Sequence, residues 1–153
     1  MYMKKKIPFY VLLVAIIVWI FCVLPKDTNI KNIAKYKLEV NGKNIPLIVS
    51  DTEASRVAGL SGRASLVKGS AMLFVFDEPD TYGFWMKDMK FPIDIIWLDE
   101  NNKIVYIEKS VSIDSYPEQF FPPEKSLYVI EANAGFSDEN KLEVGNILKL
   151  TKG

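Results

Sequence analysis

Side chains that can do chemistry are concentrated in residues 84–99, FWMKDMKFPIDIIWLD. Aromatic, sulfur-containing and charged residues follow one another there more closely than a buried strand requires. In an extended chain successive side chains point to opposite faces, so Trp85 and Lys87 share one face and Phe84 takes the other. Two interpretations are open: ordinary core packing, or the apolar wall of a ligand cleft with Lys87 or Arg63 at its rim.

Asp94 is a lone carboxylate inside the apolar run FPIDIIW at 91–97. Burying an unpaired charge is expensive, so we expect Asp94 to have a partner. Arg63 is preferred because its guanidinium fork suits a carboxylate, and Lys87 and Lys90 are alternatives. Backbone N–H groups are another way to satisfy the same oxygens. Two further interpretations are that Asp94 faces a ligand and that it acts as a general acid or base.

Glu131 has a similar position in the apolar run YVIEA at 128–132. If Glu131 and Asp94 approached each other, like charge would raise the pKa of one of them. Two carboxyl groups arranged in this way are used in glycoside hydrolysis. No residue is assigned as catalytic, and the candidate ligand-binding residues are Arg63, Trp85, Lys87, Asp94 and Glu131.

The sequence contains no histidine, and its single cysteine is Cys22. The lack of histidine excludes Ser-His-Asp and Cys-His nucleophilic sites and histidine-ligated metals. The sequence also has no Walker motif, no dinucleotide-binding glycine fingerprint and no Gly-x-Ser-x-Gly elbow. We therefore expect no cofactor and no metal, and a binding role in preference to catalysis.

Charge is balanced over the whole chain but is unevenly placed. Lys and Arg together number 19, as do Asp and Glu. Lys4, Lys5 and Lys6 precede an apolar segment, which leaves 16 basic residues (19 minus 3) against 19 acidic ones elsewhere. This remainder has no basic stripe to neutralise phosphates, so nucleic-acid binding is not expected.

Residues 7–24, IPFYVLLVAIIVWIFCVL, contain no charge. As a helix they would span about 27 Å, close to the roughly 30 Å hydrocarbon core of a bilayer. With lysines before it, the segment predicts a single-pass anchor in the cell membrane, with a cytoplasmic N-terminus and an extracytoplasmic domain. The alternatives are a cleaved signal peptide, although no Ala-x-Ala site is present, and lipidation of Cys22, although bulky residues precede it.

These patterns divide the chain into a transmembrane anchor (1–25), a polar linker (26–35) and one domain (36–153). Inside the domain, Asn41-Gly42 between two alternating segments predicts a β-hairpin. Ser50 and Glu53 have the spacing of a capping box, which predicts a short helix over 52–58 that ends near Gly59.

Further strands are predicted at 72–76, 93–98, 103–111, 127–132 and 146–150. A second short helix or turn is predicted over 139–144, and a long proline-bearing loop over 112–126. Many short strands with few helices indicate a mainly β domain, specifically a compact antiparallel β barrel or sandwich with one or two short helices.

Three blocks of the sequence resemble the DUF192 family, also called UPF0127, whose biochemical role is not established. They are GLSGRASL at 59–66, AMLFVF at 71–76 and the stretch 84–99. The resemblance extends roughly from Lys37 to Thr151 and implies the same β architecture. Ser61 stands where the family pattern has methionine, and Ala71 where it usually has glycine.

The first functional hypothesis is a ligand- or partner-binding module in which Trp85, Phe84 and Tyr82, with Tyr116 and Phe121, line a cleft for a glycan or a peptide. The second is a carboxylate-based hydrolase of envelope glycans that uses Asp94 or Glu131 with Arg63. The third is an assembly partner of another envelope protein, docked through Trp97 or the loop 112–126.

Overall fold

The computed structural model describes residues 35–153, so the predicted anchor falls outside the described residues, as does most of the predicted linker. This part of the chain is mainly β, as predicted. Its elements are β1 (Tyr36–Val40), β2 (Lys43–Ile45), β3 (Leu47–Ser50), α1 (Glu53–Ala58), β4 (Ala71–Asp80), β5 (Phe84–Trp85), β6 (Ile93–Leu98), β7 (Ile104–Val111), a 3-10 turn (Ile113–Ser115), β8 (Gln119–Phe120), β9 (Ser126–Asn133), α2 (Phe136–Glu139) and β10 (Lys149–Lys152). None of the helices formed by residues 35–153 is long and apolar enough to cross a membrane.

The main sheet has five strands in the order β3-β4-β9-β6-β7. The last three pairings are antiparallel, but β3 and β4 run parallel, which the predicted all-antiparallel arrangement missed. A parallel pair needs a crossover of a dozen or more residues, and α1 with its following loop supplies it between Ser50 and Ala71. Within the described residues the sheet ends at β3 and β7 and does not close, so the barrel, one of the two predicted alternatives beside a sandwich, does not form.

A second sheet of three strands, β10-β1-β2, lies against the same core. The predicted hairpin joins β1 to β2, with Leu38 opposite Ile45. Asn41 and Gly42 have φ of 51° and 77°. Positive φ at both central residues is the requirement of a type I′ turn, which is why Asn-Gly is favoured there.

Helix α1 begins one residue later than predicted and uses a different cap. The Thr52 hydroxyl accepts from the backbone N–H of Ser55 (3.2 Å), and the backbone N–H of Thr52 donates to the Ser55 hydroxyl (3.0 Å). The capping box therefore consists of Thr52 and Ser55, and the prediction of Ser50 with Glu53 is wrong. Ser50 is instead the buried last residue of β3, which fixes where the helix can start. Gly59 ends the helix as predicted.

Two apolar clusters cover the two faces of the main sheet. One contains Leu73, Ile96 and Ile130 and is closed by Leu38 of the three-stranded sheet. The other contains Met72, Phe74, Ile95, Trp97 and Val129 of the main sheet, and it is closed by Leu60, Leu66 and Met86 from the loops. The second face, on which loops and α1 form the cover, is the one that opens into a cleft.

Candidate functional site

A cleft of about 370 Å³ opens between α1, β4 and β5. This volume lies in the range of small-molecule sites. Its lining combines five aromatic side chains with aliphatic, small and polar residues. The residues that line it are Glu53, Arg56, Val57, Ala58, Gly59, Leu60, Ser61, Phe74, Phe76, Tyr82, Gly83, Phe84, Trp85, Met89, Gln119 and Glu131.

The aromatic walls of the cleft hold one another in place. The rings of Phe76 and Tyr82 are stacked with centroids 3.4 Å apart, and Phe74 meets Phe84 edge to face at 4.9 Å. The indole N–H of buried Trp97 donates to the Tyr82 carbonyl (2.9 Å), which fixes the segment before β5. Because a ligand would meet rings already locked by packing, little ordering is needed on binding.

Arg56 projects from α1 along one wall. Its guanidinium donates to the Val75 carbonyl (2.8 Å), lies 5.3 Å from the centre of the Phe76 ring and is 3.8 Å from the Asp77 carboxylate. These contacts attach α1 to the middle of β4. Glu53, Arg56 and Leu60 recur at helical spacing, which is the sequence signal that could have placed Arg56 on the cleft face of α1.

Glu131 lines the cleft from β9 and has only 5% of its surface exposed. Its Oε2 atom is buried and has no hydrogen-bond partner. The residues opposite it on the neighbouring strands are Met72 of β4 and Ile95 of β6, both apolar. Burial raises the pKa of the Glu131 carboxyl to about 8, so the group is mostly protonated at neutral pH.

Asp94 is buried on β6 and is fully satisfied by backbone donors. Its Oδ1 accepts from the N–H groups of Ser110 (2.8 Å) and Gly135 (3.2 Å), and its Oδ2 accepts from the N–H of Ser137 (2.7 Å). The carboxylate therefore connects β6 to the end of β7 and to the start of α2. It has no exposed surface with which to reach a ligand.

The family profile DUF192, "Uncharacterized ACR, COG1430", matches residues 36–150. The chain belongs to the DUF192 family. The resemblance seen in the three sequence blocks is thereby confirmed. No curated protein matches the chain.

Two crystal structures are similar to the DUF192 domain described here. One is a protein of unknown function from Novosphingobium aromaticivorans DSM 12444, with 22% identity, a TM-score of 0.65, and coverage of 76% of this chain and 83% of that one. The other, from Sinorhizobium meliloti 1021, is described as a candidate transcription regulator, with 22% identity, a TM-score of 0.68, and coverage of 77% and 92%. At this identity the likeness shows a shared fold alone.

The structure brings only some of the predicted site residues of this DUF192 domain together. Trp85 and Glu131 line the same cleft. Lys87 lies in the turn after β5, with its ammonium nitrogen 5.7 Å from the centre of the Trp85 ring. Arg63 lines a different, smaller depression with Pro46 and Leu66.

The expected ion pair between Arg63 and Asp94 is wrong. All three hydrogen bonds to Asp94 come from backbone N–H groups, and Arg63 forms no ion pair among residues 35–153. Arg63 is favoured in the sequence only because a guanidinium group and a carboxylate are complementary side-chain types. The backbone donors lie 16 to 43 residues away in sequence and are brought in only by the fold.

Asp94 and Glu131 do not form the carboxyl pair that a glycosidase would need. Asp94 faces Ala132 across the β6–β9 ladder, whereas Glu131 faces Ile95. Side chains directly opposite each other share a face, and adjacent residues alternate, so the two carboxyl groups lie on opposite faces of the sheet. Trp97, named as a docking residue, is also fully buried.

Proposed function

We propose that this DUF192 domain is a binding module whose cleft takes a small ligand or one end of a larger one. The observation that carries the proposal is the unpartnered carboxyl oxygen of Glu131 inside an aromatic-walled cleft. A buried polar group without a partner destabilises the folded state. Glu131 lines an open cleft, and a buried acid without a protein partner at such a place is the arrangement expected of a recognition group.

Binding is favoured over hydrolysis because the cleft offers one buried acid without a second. Asp94 is on the other face of the sheet, and Glu53 is an exposed residue of α1 at the cleft's edge. Hydrolysis of a glycosidic bond requires two carboxyl groups flanking it at defined separation. The aromatic walls instead provide contact area and orientation, as in ligand sites generally.

The binding role is tested by titrating the full chain, held in lipid nanodiscs, with panels of small saccharides and short peptides. Calorimetry is expected to give saturable binding for members of one panel. Trp85→Ala should weaken that binding by about tenfold, since it removes a large half-exposed ring from the wall. Ile147→Ala, which truncates an exposed apolar side chain outside the cleft, should leave it unchanged. Binding by neither panel, or equal affinity in Trp85→Ala, would contradict the proposal.

We also propose that residues 7–24 anchor the domain to the cell membrane and place it outside the cytoplasm. The support is the charge-free stretch with three lysines before it. A bacterial alkaline phosphatase joined after Gly153, which is active only outside the cytoplasm, is expected to be active and to sediment with membranes. Replacing Lys4, Lys5 and Lys6 by glutamate should lower that activity. An inactive fusion in the membrane fraction would show the reverse orientation.

A further inference from the structure

We propose that the cleft takes an uncharged sugar ring and that Glu131 is the residue that selects its hydroxyl groups; this rests on the binding role proposed above. Three features of the described residues carry it: the flat ring faces, the distribution of the polar groups, and the surroundings of Glu131.

The walls favour a ligand with flat apolar faces. Trp85 is 46% exposed, and Tyr116 meets its ring edge to face at 5.9 Å, which holds the indole in position. Tyr82, which is stacked on Phe76, adds a second ring surface to the lining of the cleft. The C–H faces of a sugar ring pack on such surfaces, and aromatic side chains provide large contact area at low cost in conformational entropy.

The polar groups of the cleft come from separate elements. Arg56 belongs to α1, Ser61 follows it, Gln119 is on β8 and Glu131 is on β9. The Ser61 hydroxyl donates to the Lys87 carbonyl (2.8 Å), so its oxygen remains available as an acceptor only. A sugar carries hydroxyl groups around its whole perimeter, whereas an amide or an amine concentrates its polarity at one end.

The surroundings of Glu131 favour an uncharged ligand. Its cross-strand neighbours Met72 and Ile95 are apolar, and the only other titratable groups lining the cleft are Glu53, Arg56 and Tyr82. The Arg56 guanidinium is engaged by Val75 and Asp77 and forms no contact with Glu131. A cationic ligand would require two desolvated charges in this apolar setting, and that cost offsets their attraction.

A protonated Glu131 has the hydrogen-bonding properties that a sugar hydroxyl complements. The carboxyl donates through its O–H and accepts at its other oxygen, and a hydroxyl does both in return. Burial holds the pKa of Glu131 at about 8, so this form prevails at pH 7. Ionisation above that pH removes the donor, and the complex should then weaken.

The test is calorimetry at pH 6.5 on the full chain in nanodiscs, with three probe sets. The neutral set contains glucose, galactose, mannose, N-acetylglucosamine and their disaccharides; the charged sets contain glucosamine and glucuronate. We expect saturable binding in the neutral set and weaker binding of both charged sugars. Glu131→Gln, which keeps a donor and an acceptor, should stay within about threefold of the natural chain, and Glu131→Leu should lose about tenfold or more.

The pH profile gives a readout that a merely structural role of Glu131 would not change. Affinity for the neutral sugar should fall between pH 7 and pH 9 in the natural chain and stay flat in Glu131→Gln. Tighter binding of glucosamine than of the neutral sugars, with that preference lost in Glu131→Gln, would overturn the inference and indicate a charge pair. Binding of peptides without binding of sugars would contradict the sugar specificity but would still support the proposed binding module. Absence of binding by every sugar and every peptide would contradict both proposals.

Discussion

Replacing Asp94 by alanine is expected to lower the free energy of unfolding by about 4 kcal/mol, the largest loss of any single substitution proposed for this domain. The substitution leaves the N–H groups of Ser110, Gly135 and Ser137 without their acceptor. Each orphaned buried donor costs about 1–3 kcal/mol, and bonds to a charged acceptor are the stronger kind. Denaturant unfolding followed by near-ultraviolet circular dichroism measures the loss.

Asp138→Ala provides the matched control for Asp94→Ala. The Asp138 side chain is 70% exposed and forms a surface ion pair with Lys109, so its removal should change the free energy by no more than about 0.5 kcal/mol. The loss of unfolding free energy in Asp94→Asn should lie between those of Asp94→Ala and Asp138→Ala. The amide keeps one acceptor oxygen, but its NH₂ group faces a backbone N–H that has then lost its acceptor. Equal stability of Asp94→Ala and Asp138→Ala would show that the backbone contacts contribute nothing.

Replacing Glu131 by glutamine is expected to stabilise the fold by an amount that grows with pH. The pKa of Glu131 is raised by burial from 4.5 to about 8 in the folded state, so the unfolded chain releases its proton first as pH rises. The contribution of Glu131 to stability therefore falls from about pH 4.5 upward, until the folded carboxyl also ionises near pH 8. Between pH 4 and pH 7 the advantage of Glu131→Gln should grow by about 3 kcal/mol.

The measurement is a series of denaturant titrations of both proteins at pH 4, 5, 6 and 7, compared as differences so that other carboxyl groups cancel. Glu39→Gln, which changes a carboxylate on a strand at the surface, is the control. The free energy of unfolding of Glu39→Gln should stay within about 0.5 kcal/mol of that of the natural chain over the same pH range. If the difference in free energy of unfolding between Glu131→Gln and the natural chain stayed constant from pH 4 to pH 7, Glu131 would not be kept protonated by burial.

Much of the local structure could be predicted from the sequence, because it depends on neighbours in the chain. Asn41-Gly42 formed its hairpin since few residues tolerate positive φ at both turn positions. Gly59 ended α1 for a related reason, with φ of 48°. The cap itself was misplaced by two residues because Ser50, Thr52 and Ser55 offer similar chemistry, and the burial of Ser50 in β3 decides between them.

The site depends on contacts between distant parts of the chain, which the sequence does not encode locally. Helix α1 lies in the crossover between the parallel strands β3 and β4, and Arg56 of α1 lines the cleft together with Phe74 of β4. The apolar surroundings of Glu131 in the sequence mark it as unusual, but they do not show on which face of the sheet it lies relative to Asp94, and the two lie on opposite faces. A one-residue difference in register decides that face, and no local pattern specifies it.

The pairing of β1 with β10 means that the described chain begins and ends at one place. Tyr36 lies opposite Lys152, and the N–H of Gly153 donates to the Lys35 carbonyl (2.9 Å). A few residues would therefore suffice to bridge Lys35 and Gly153, and new ends could be opened in the exposed turn at 100–101. The same geometry suits the fold to insertion as a cassette into a surface loop of a host protein, with short connections on both sides.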